Sequence, residues 1–380
     1  MSGILTLNAG SSSIKFGVYT SAAEPEMLMT GQVDNLGPVA KLVVKGGETR
    51  ELGHADHAAG VRAILDVVQP VLDGAPAGVG HRIVHGGKTY GAPVVLDADA
   101  MAQLEAFVPL APLHQPHNLA AVKAAQLAFP DAVQVGCFDT AFHKGHPFVN
   151  DTFALPRRFY DEGVRRYGFH GLSYDYIHSV LERDYPDLHA GKVIVAHLGN
   201  GASMCAMSGG HSVGSTMGFS ALDGLPMGTR CGQLDPGVLL YFLEQKKMSA
   251  AEISRMLYSE SGLKGLSELT NDMRVLLESP DPKAKEAIDY YVFRIRREVG
   301  ALAAVLEGID GLVFCGGIGE HAAPIREKVT DGLHFLGLEI NLSANAANAV
   351  DIGTGAAKVL VIPTDEERVI ARSVAAALAA

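Results

Sequence analysis

Residues 4–19 read Ile4-Leu-Thr-Leu-Asn-Ala-Gly-Ser-Ser-Ser-Ile-Lys-Phe-Gly-Val-Tyr19, and residues 192–207 read Lys192-Val-Ile-Val-Ala-His-Leu-Gly-Asn-Gly-Ala-Ser-Met-Cys-Ala-Met207. Each is an apolar run, a turn of small residues and a second apolar run. In the first, Ile14, Phe16 and Val18 alternate with Lys15 and Gly17, the period of two that marks a strand. The same layout in both halves of one chain predicts an internal duplication: two related α/β domains, each opening on a hairpin.

The flanking sequence extends this pattern. It predicts a strand over 41–44, a helix over 56–68 that ends before Pro70, and a strand over 79–84 that runs into His85-Gly-Gly87. A helix over 118–129 and a strand over 133–138 follow, the strand ending at Asp139. Residues 147–167 look irregular and carry Arg157, Arg158, Arg165 and Arg166. Later come a long helix over 284–306, a strand over 311–315, a glycine turn at 316–320, a helix from about Pro324, a strand over 359–362 and a last helix. No low-complexity linker separates the halves, so two domains in close association are expected.

Composition excludes several classes. The 380 residues are 48% apolar and carry a formal charge of −11, which argues against a nucleic-acid binder. No signal-peptide layout or membrane-length apolar stretch is present, so a cytoplasmic protein without membrane association is expected. The cysteines Cys137, Cys205, Cys231 and Cys315 form no CxxC pair or zinc spacing and are expected to be free thiols.

Two tempting motifs fail. Gly86-Gly-Lys-Thr89 is not a phosphate-binding P-loop, because the required earlier glycine is Arg82 and no helix pattern follows. The pairs His54/His57, His114/His117 and His143/His146 lack the HExxH form and a carboxylate at ligand spacing. They are read as surface histidines or as supports behind a site.

Three turns are suited to a polyphosphate: Gly10–Ser13, His197–Ser203 and Gly316–Glu320. Lys15 adds a point charge beside the first, and the third precedes a helix. Each alone is an ordinary turn; two in matching places of duplicated hairpins point to an actin-like nucleotide cleft. Arg82, Arg230 and His170 each lie near glycines, in HRIVHGG, MGTRCG and YGFHG, where fixed donors can be aimed at an oxyanion. Asp139 stands at a strand end, where ligands meet α/β sheets. Glu366 and Glu367 open the last helix, a place acidic residues favour on helix-dipole grounds alone.

The segments LNAGSSSIKF (7–16), GHRIVHGG (80–87), PLHQPHN (112–118), FDTAFH (138–143), YGFHG (167–171), HLGNGAS (197–203), LDGLPMGTRCG (222–232), NDMR (271–274), GGIGE (316–320) and PTDEE (363–367) together resemble the acetate kinase family. The resemblance implies a duplicated actin-like (ribonuclease H-like) α/β fold, two domains around a nucleotide cleft, with residues 1–143 plus 367–380 in one and 144–366 in the other. It implies a homodimer that transfers the γ-phosphoryl group of ATP to acetate, reversibly and with Mg2+, for which Mn2+ can substitute. A propionate or butyrate kinase, or a non-enzymatic ATP-driven module of the actin or chaperone type, are the alternatives.

The resemblance also implies site roles. Arg82, Asp139, His170 and Arg230 are the catalytic set. Arg82, Val84, Leu113, His114 and Ala221 meet the carboxylate substrate. Ser11, Ser13, Lys15, residues His197, Leu198, Gly199, Asn200 and Gly201, residues Asp272, Met273 and Arg274, and residues Gly316, Gly317, Ile318, Gly319 and Glu320 meet the nucleotide. Asn8 and Glu366 hold the metal. The chain departs from the family pattern at Ala221, where a proline is usual, at Gln233 and at His321. Ala221 leaves more room beside the acyl group.

Overall fold

The computed structural model describes residues 3–10, 13–72 and 74–380. The chain divides into two compact units, residues 1–142 with 365–380, and residues 143–364.

In the first unit the strands are β1 (Ile4–Ala9), β2 (Ile14–Tyr19), β3 (Met27–Asp34), β4 (Gly37–Val44), β5 (Thr49–Ala55), β6 (Gly78–Ile83), β7 (Val94–Val95) and β8 (Val133–Phe138). Their order across the sheet is β5-β4-β3-β2-β1-β6-β8-β7. The second unit holds β9 (Lys192–Leu198), β10 (Ala202–Ser208), β11 (His211–Ser215), β12 (Gly311–Cys315) and β13 (Lys358–Val361), in the order β11-β10-β9-β12-β13.

The duplication is visible in strand sense as well as order. In the first sheet β3, β2 and β1 form an antiparallel meander, and β6 and β8 continue parallel to β1. In the second, β11, β10 and β9 are antiparallel, and β12 and β13 run parallel to β9. The opening hairpin of each unit is therefore the same element in the same place, as the repeated sequence predicts. β4, β5 and β7 are additions to the first sheet.

Burial explains the hairpin. Ile14, Phe16 and Val18 are fully buried and pack with Leu5, Leu7 and the apolar face of the helix His57–Leu72. The opposite face of this sheet takes the C-terminal helix Glu366–Ala379, which lies on β1, β6 and β8. Gly80 permits that approach, because a Cβ there would stand 2.3 Å from Ile370 Cγ2.

Three local expectations are corrected. The first helix does not stop before Pro70 but runs through it to Leu72. Pro70 is exposed, so the amide hydrogen bond it removes lies on the wet face, while Val61, Ile64, Val68 and Leu72 stay buried along the other. Residues 147–167 contain two short helices, Phe148–Asp151 and Arg157–Glu162. The arginines stack on rings, Arg157 over Phe148 at 4.5 Å, Arg165 over Tyr160 at 4.0 Å and Arg166 over Phe153 at 4.7 Å, contacts that apolar periodicity does not register. Finally, Gly316–His321 is itself a helix directly after β12, followed by a second helix at Ala323–Thr330. Among the described residues no helix is long and apolar enough to cross a membrane.

Candidate active site

The carboxyl ends of three parallel strands gather the polar groups of the first unit. β1 carries Asn8, β6 carries Arg82, and Asp139 follows β8 directly. Arg82 makes a bidentate pair with Asp139, at 2.9 Å from Nε to Oδ1 and 2.6 Å from Nη2 to Oδ2. Its Nη1 donates to Asn8 Oδ1 at 3.1 Å, and Glu366 Oε2 lies 4.0 Å from Nε. Three other predicted residues, Asn8, Asp139 and Glu366, thus meet around the Arg82 guanidinium. Burial disfavours the charge on Arg82, but Asp139 and Glu366 outweigh it and raise its pKa.

Glu366 experiences the opposite balance. Burial, reinforced by Asp139 and Glu367 and countered by Arg82 and Lys15, pushes its carboxyl up from 4.5 to about 7. Between those values the folded protein holds a proton that the unfolded chain releases. Stability from this group is therefore lost as pH rises from about 4.5 through 7. Glu366→Gln is expected to flatten that decline in metal-free protein. Urea midpoints between pH 5 and 8 check it, and an equally steep fall in the variant would refute the assignment.

The donors here are oxygens of Asn8, Asp139, Glu366 and Glu367, the hard ligand type that Mg2+ takes. Among the described residues no three His, Cys, Asp or Glu form a complete metal cage.

Lys15 faces solvent opposite Asn8 in the β1–β2 register. The Gly10 turn is closed by Gly10 N–H to the Ser13 carbonyl at 2.8 Å, and His57 Nε2 holds the Gly10 carbonyl at 2.7 Å. Ser11 lies outside the described residues. Val84 is buried and Leu113 exposed. His114 precedes the helix Gln115–Ala128. Gly87–Thr89 form a turn and no helix follows directly, as the sequence predicts.

In the second unit the 197–203 turn gathers the remaining charged set. His170 Nδ1 meets Ser203 Oγ at 2.8 Å, and its ring stacks on His197 at 4.3 Å. A Cβ on Gly201 would stand 3.1 Å from His170 Nε2 and 4.0 Å from Arg230 Nη1, so both side chains converge on this glycine. Arg230 Nη1 also donates to the Ala221 carbonyl at 3.2 Å.

Beside this turn opens a pocket of about 530 Å³. Gly199 and Asn200, Asp272, Met273 and Arg274, and Gly317 and Ile318 line it, so three predicted nucleotide segments meet there. Asp272 caps the helix Met273–Glu278 and pairs with Arg274 at 2.7 Å; those hydrogen bonds push its carboxyl down to about 2. The sequence reading missed Asn271, Leu277, Ala322 and Pro324 in the lining, and named His321 only as a departure from the family pattern. Asn271 had a signal, its place in NDMR, and it donates to Asn200 Oδ1 at 2.9 Å. His197, Leu198, Gly201, Gly316, Gly319 and Glu320, also predicted to meet the nucleotide, do not line this pocket. Leu198 is fully buried, and Glu320 accepts from the Thr364 amide at 3.2 Å.

A sequence profile of the acetokinase family matches residues 3–372. The chain belongs to the acetokinase family. It is similar to an acetate kinase of Methylocella silvestris, 54% identical over 99% of this chain and 98% of that one. Among solved structures, a propionate kinase from Francisella tularensis superposes with a TM-score of 0.94 at 34% identity, covering 98% of this chain and 99% of the other. An acetate kinase from Porphyromonas gingivalis gives 0.87 at 36% identity, covering 98% of each chain. These relatives place the duplicated α/β units of this chain in the acetokinase fold.

Proposed function

We propose that the chain catalyses reversible transfer of the γ-phosphoryl group of ATP to acetate, giving acetyl phosphate and ADP. The full-length 54% identity to the Methylocella silvestris acetate kinase carries this reading. The arginine and histidine groups described above support it chemically. Two anions must meet, and fixed donors at the transferring oxygens are the main resource against their repulsion. Arg82, Arg230, His170 and Lys15 supply that charge in this reading, and Asp139 acts by fixing the plane of the Arg82 guanidinium. No general base is required, because a small carboxylic acid has a pKa of about 4 and is ionised near pH 7.

Asn8, Asp139 and Glu366 would hold Mg2+, which when bound neutralises charge on the phosphate oxygens. The 530 Å³ pocket would take the adenosine portion of the nucleotide. Val84, Leu113 and Ala221 are our candidates for the acyl wall, and Ala221 favours a second reading in which propionate is also used. A single methylene distinguishes such substrates by only about 1–3 kcal/mol.

Acyl phosphate trapped as hydroxamate tests the reading. Acetate is expected to give the highest kcat/KM, propionate about 10-fold or more lower, and butyrate least. Butyrate exceeding both would overturn the substrate assignment. We also propose a homodimer. The helix Pro236–Glu244 buries none of its residues although Leu240, Tyr241 and Leu243 are apolar or aromatic. Sedimentation of active protein as a 40.0 kDa species would exclude it.

A further inference from the structure

His143 and His146, the i, i+3 pair in FDTAFHKGH, converge on one hydroxyl. His143 Nδ1 lies 2.8 Å from Ser212 Oγ, His146 Nε2 lies 2.7 Å from the same atom, and Cys205 Sγ lies 3.2 Å from it. On the other side of its ring, His143 Nε2 lies 2.9 Å from the Phe169 carbonyl.

These contacts fix the His143 tautomer. A carbonyl only accepts, so His143 Nε2 carries a hydrogen. The ring is buried, and burial, with His146 nearby, lowers its pKa to about 3, so it is neutral and Nδ1 is bare. Ser212 must then donate its hydrogen to Nδ1. Its lone pairs are left for His146 N–H and Cys205 S–H. One tautomer satisfies the whole network, and it is the one that aims a donor at Phe169.

The target of that donor is significant. Phe169 is followed by His170, whose backbone sits in the left-handed region at φ 57°, and preceded by Gly168 at φ 75°. Such a stretch needs outside support to persist. The His143 ring supplies packing too: a Cβ on Gly168 would stand 2.5 Å from His143 Cδ2. The Tyr167 and Gly168 amides are held in turn by the Gly218 carbonyl at 2.9 and 3.3 Å.

We propose that His143, locked in its tautomer by Ser212, is a positioning residue that holds the Phe169–His170 peptide and so aims His170. This rests on the reading above that His170 meets the transferring phosphoryl group. His143 itself touches no substrate in this account. The role depends on one donor at Nε2, which a glutamine amide can reproduce and a leucine cannot.

The test compares His143→Leu with His143→Gln in the full-length protein, using hydroxamate turnover and calorimetric ADP binding. His143→Leu is expected to lower kcat by about 10-fold or more, with KM for ATP and affinity for ADP within about 2-fold of the parent. His143→Gln is expected to recover most of the lost kcat. A purely structural role would predict no such rescue and no separation of kcat from nucleotide binding. Should His143→Leu fail to fold, Ser212→Ala takes its place, with kcat about 3-fold or more lower and ADP binding retained. Unchanged kcat in the variant examined, or a glutamine variant as slow as the leucine one, overturns the proposal. Parent protein that makes no acyl phosphate overturns the functional reading instead, so the two failures are distinguishable.

Discussion

Arg82→Ala is expected to lower kcat by about 10²–10³-fold or more, the scale seen when one fixed donor to a transition-state oxyanion is lost. Two consequences combine here. The donor itself disappears, and Asp139, 2% exposed, is left facing Glu366 and Glu367 with its bidentate partner gone. Arg82→Lys separates them. Lysine restores a charge but not the planar fork, so it should recover stability more fully than turnover. Stopped or steady-state hydroxamate kinetics with thermal melts of the three proteins read both. Arg82→Ala turning over at the parental rate would remove Arg82 from the catalytic set.

The second large effect is expected at Arg326, which does not belong to the charged set. Arg326 is fully buried, and among the described residues no carboxylate pairs with it. Its five N–H groups are nonetheless all used. Nε meets Asn345 Oδ1, Nη1 meets the Gly319 and Glu320 carbonyls, and Nη2 meets the Asn345 carbonyl and Asn348 Oδ1, at 2.6–2.9 Å. The Gly319 and Glu320 carbonyls belong to the last turn of the helix Gly316–His321, where carbonyls have no partner within the helix. Arg326→Met removes all five donors and is expected to destabilise the protein by about 3–5 kcal/mol. Urea denaturation checks this. A loss below about 1 kcal/mol would mean that water reaches those carbonyls. Because Gly317, Ile318 and His321 line the pocket, nucleotide affinity should fall with stability.

This arginine also shows why part of the site was illegible in the sequence. Gly316-Gly-Ile-Gly-Glu320 reads as a turn because glycine is a poor helix former. It is helical because a side chain ten residues past its start satisfies its free end, a tertiary contact that no local pattern displays. The strands were legible for the opposite reason. Ile14, Phe16 and Val18, or Val193 to Ala196, are buried continuously or alternately, and burial writes itself into composition. β3, β5, β7 and β11 were missed; they are short or mostly solvent-facing, β3 burying only Val33 and β5 only Ala55. Among site residues, the glycine-flanked Arg82 and Arg230 were found by the turns beside them. The pairing of Arg82 with Asp139 was not foreseen, since strand adjacency across the sheet is set by topology. His143 was noticed and set aside as a support, and only Ser212 and Phe169 reveal what it supports.

The fourteen-residue helix Glu366–Ala379 covers one face of the sheet built from the first residues of the chain. During synthesis, β1, β6 and β8 emerge early, yet their apolar face has no cover until residues 366–379 have emerged. The amino-terminal unit therefore matures last, after the whole intervening unit has left the ribosome, and a nascent chain stalled short of Glu366 exposes greasy sheet to any passing chaperone. The same geometry makes the helix Glu366–Ala379 an integral part of the fold's beginning.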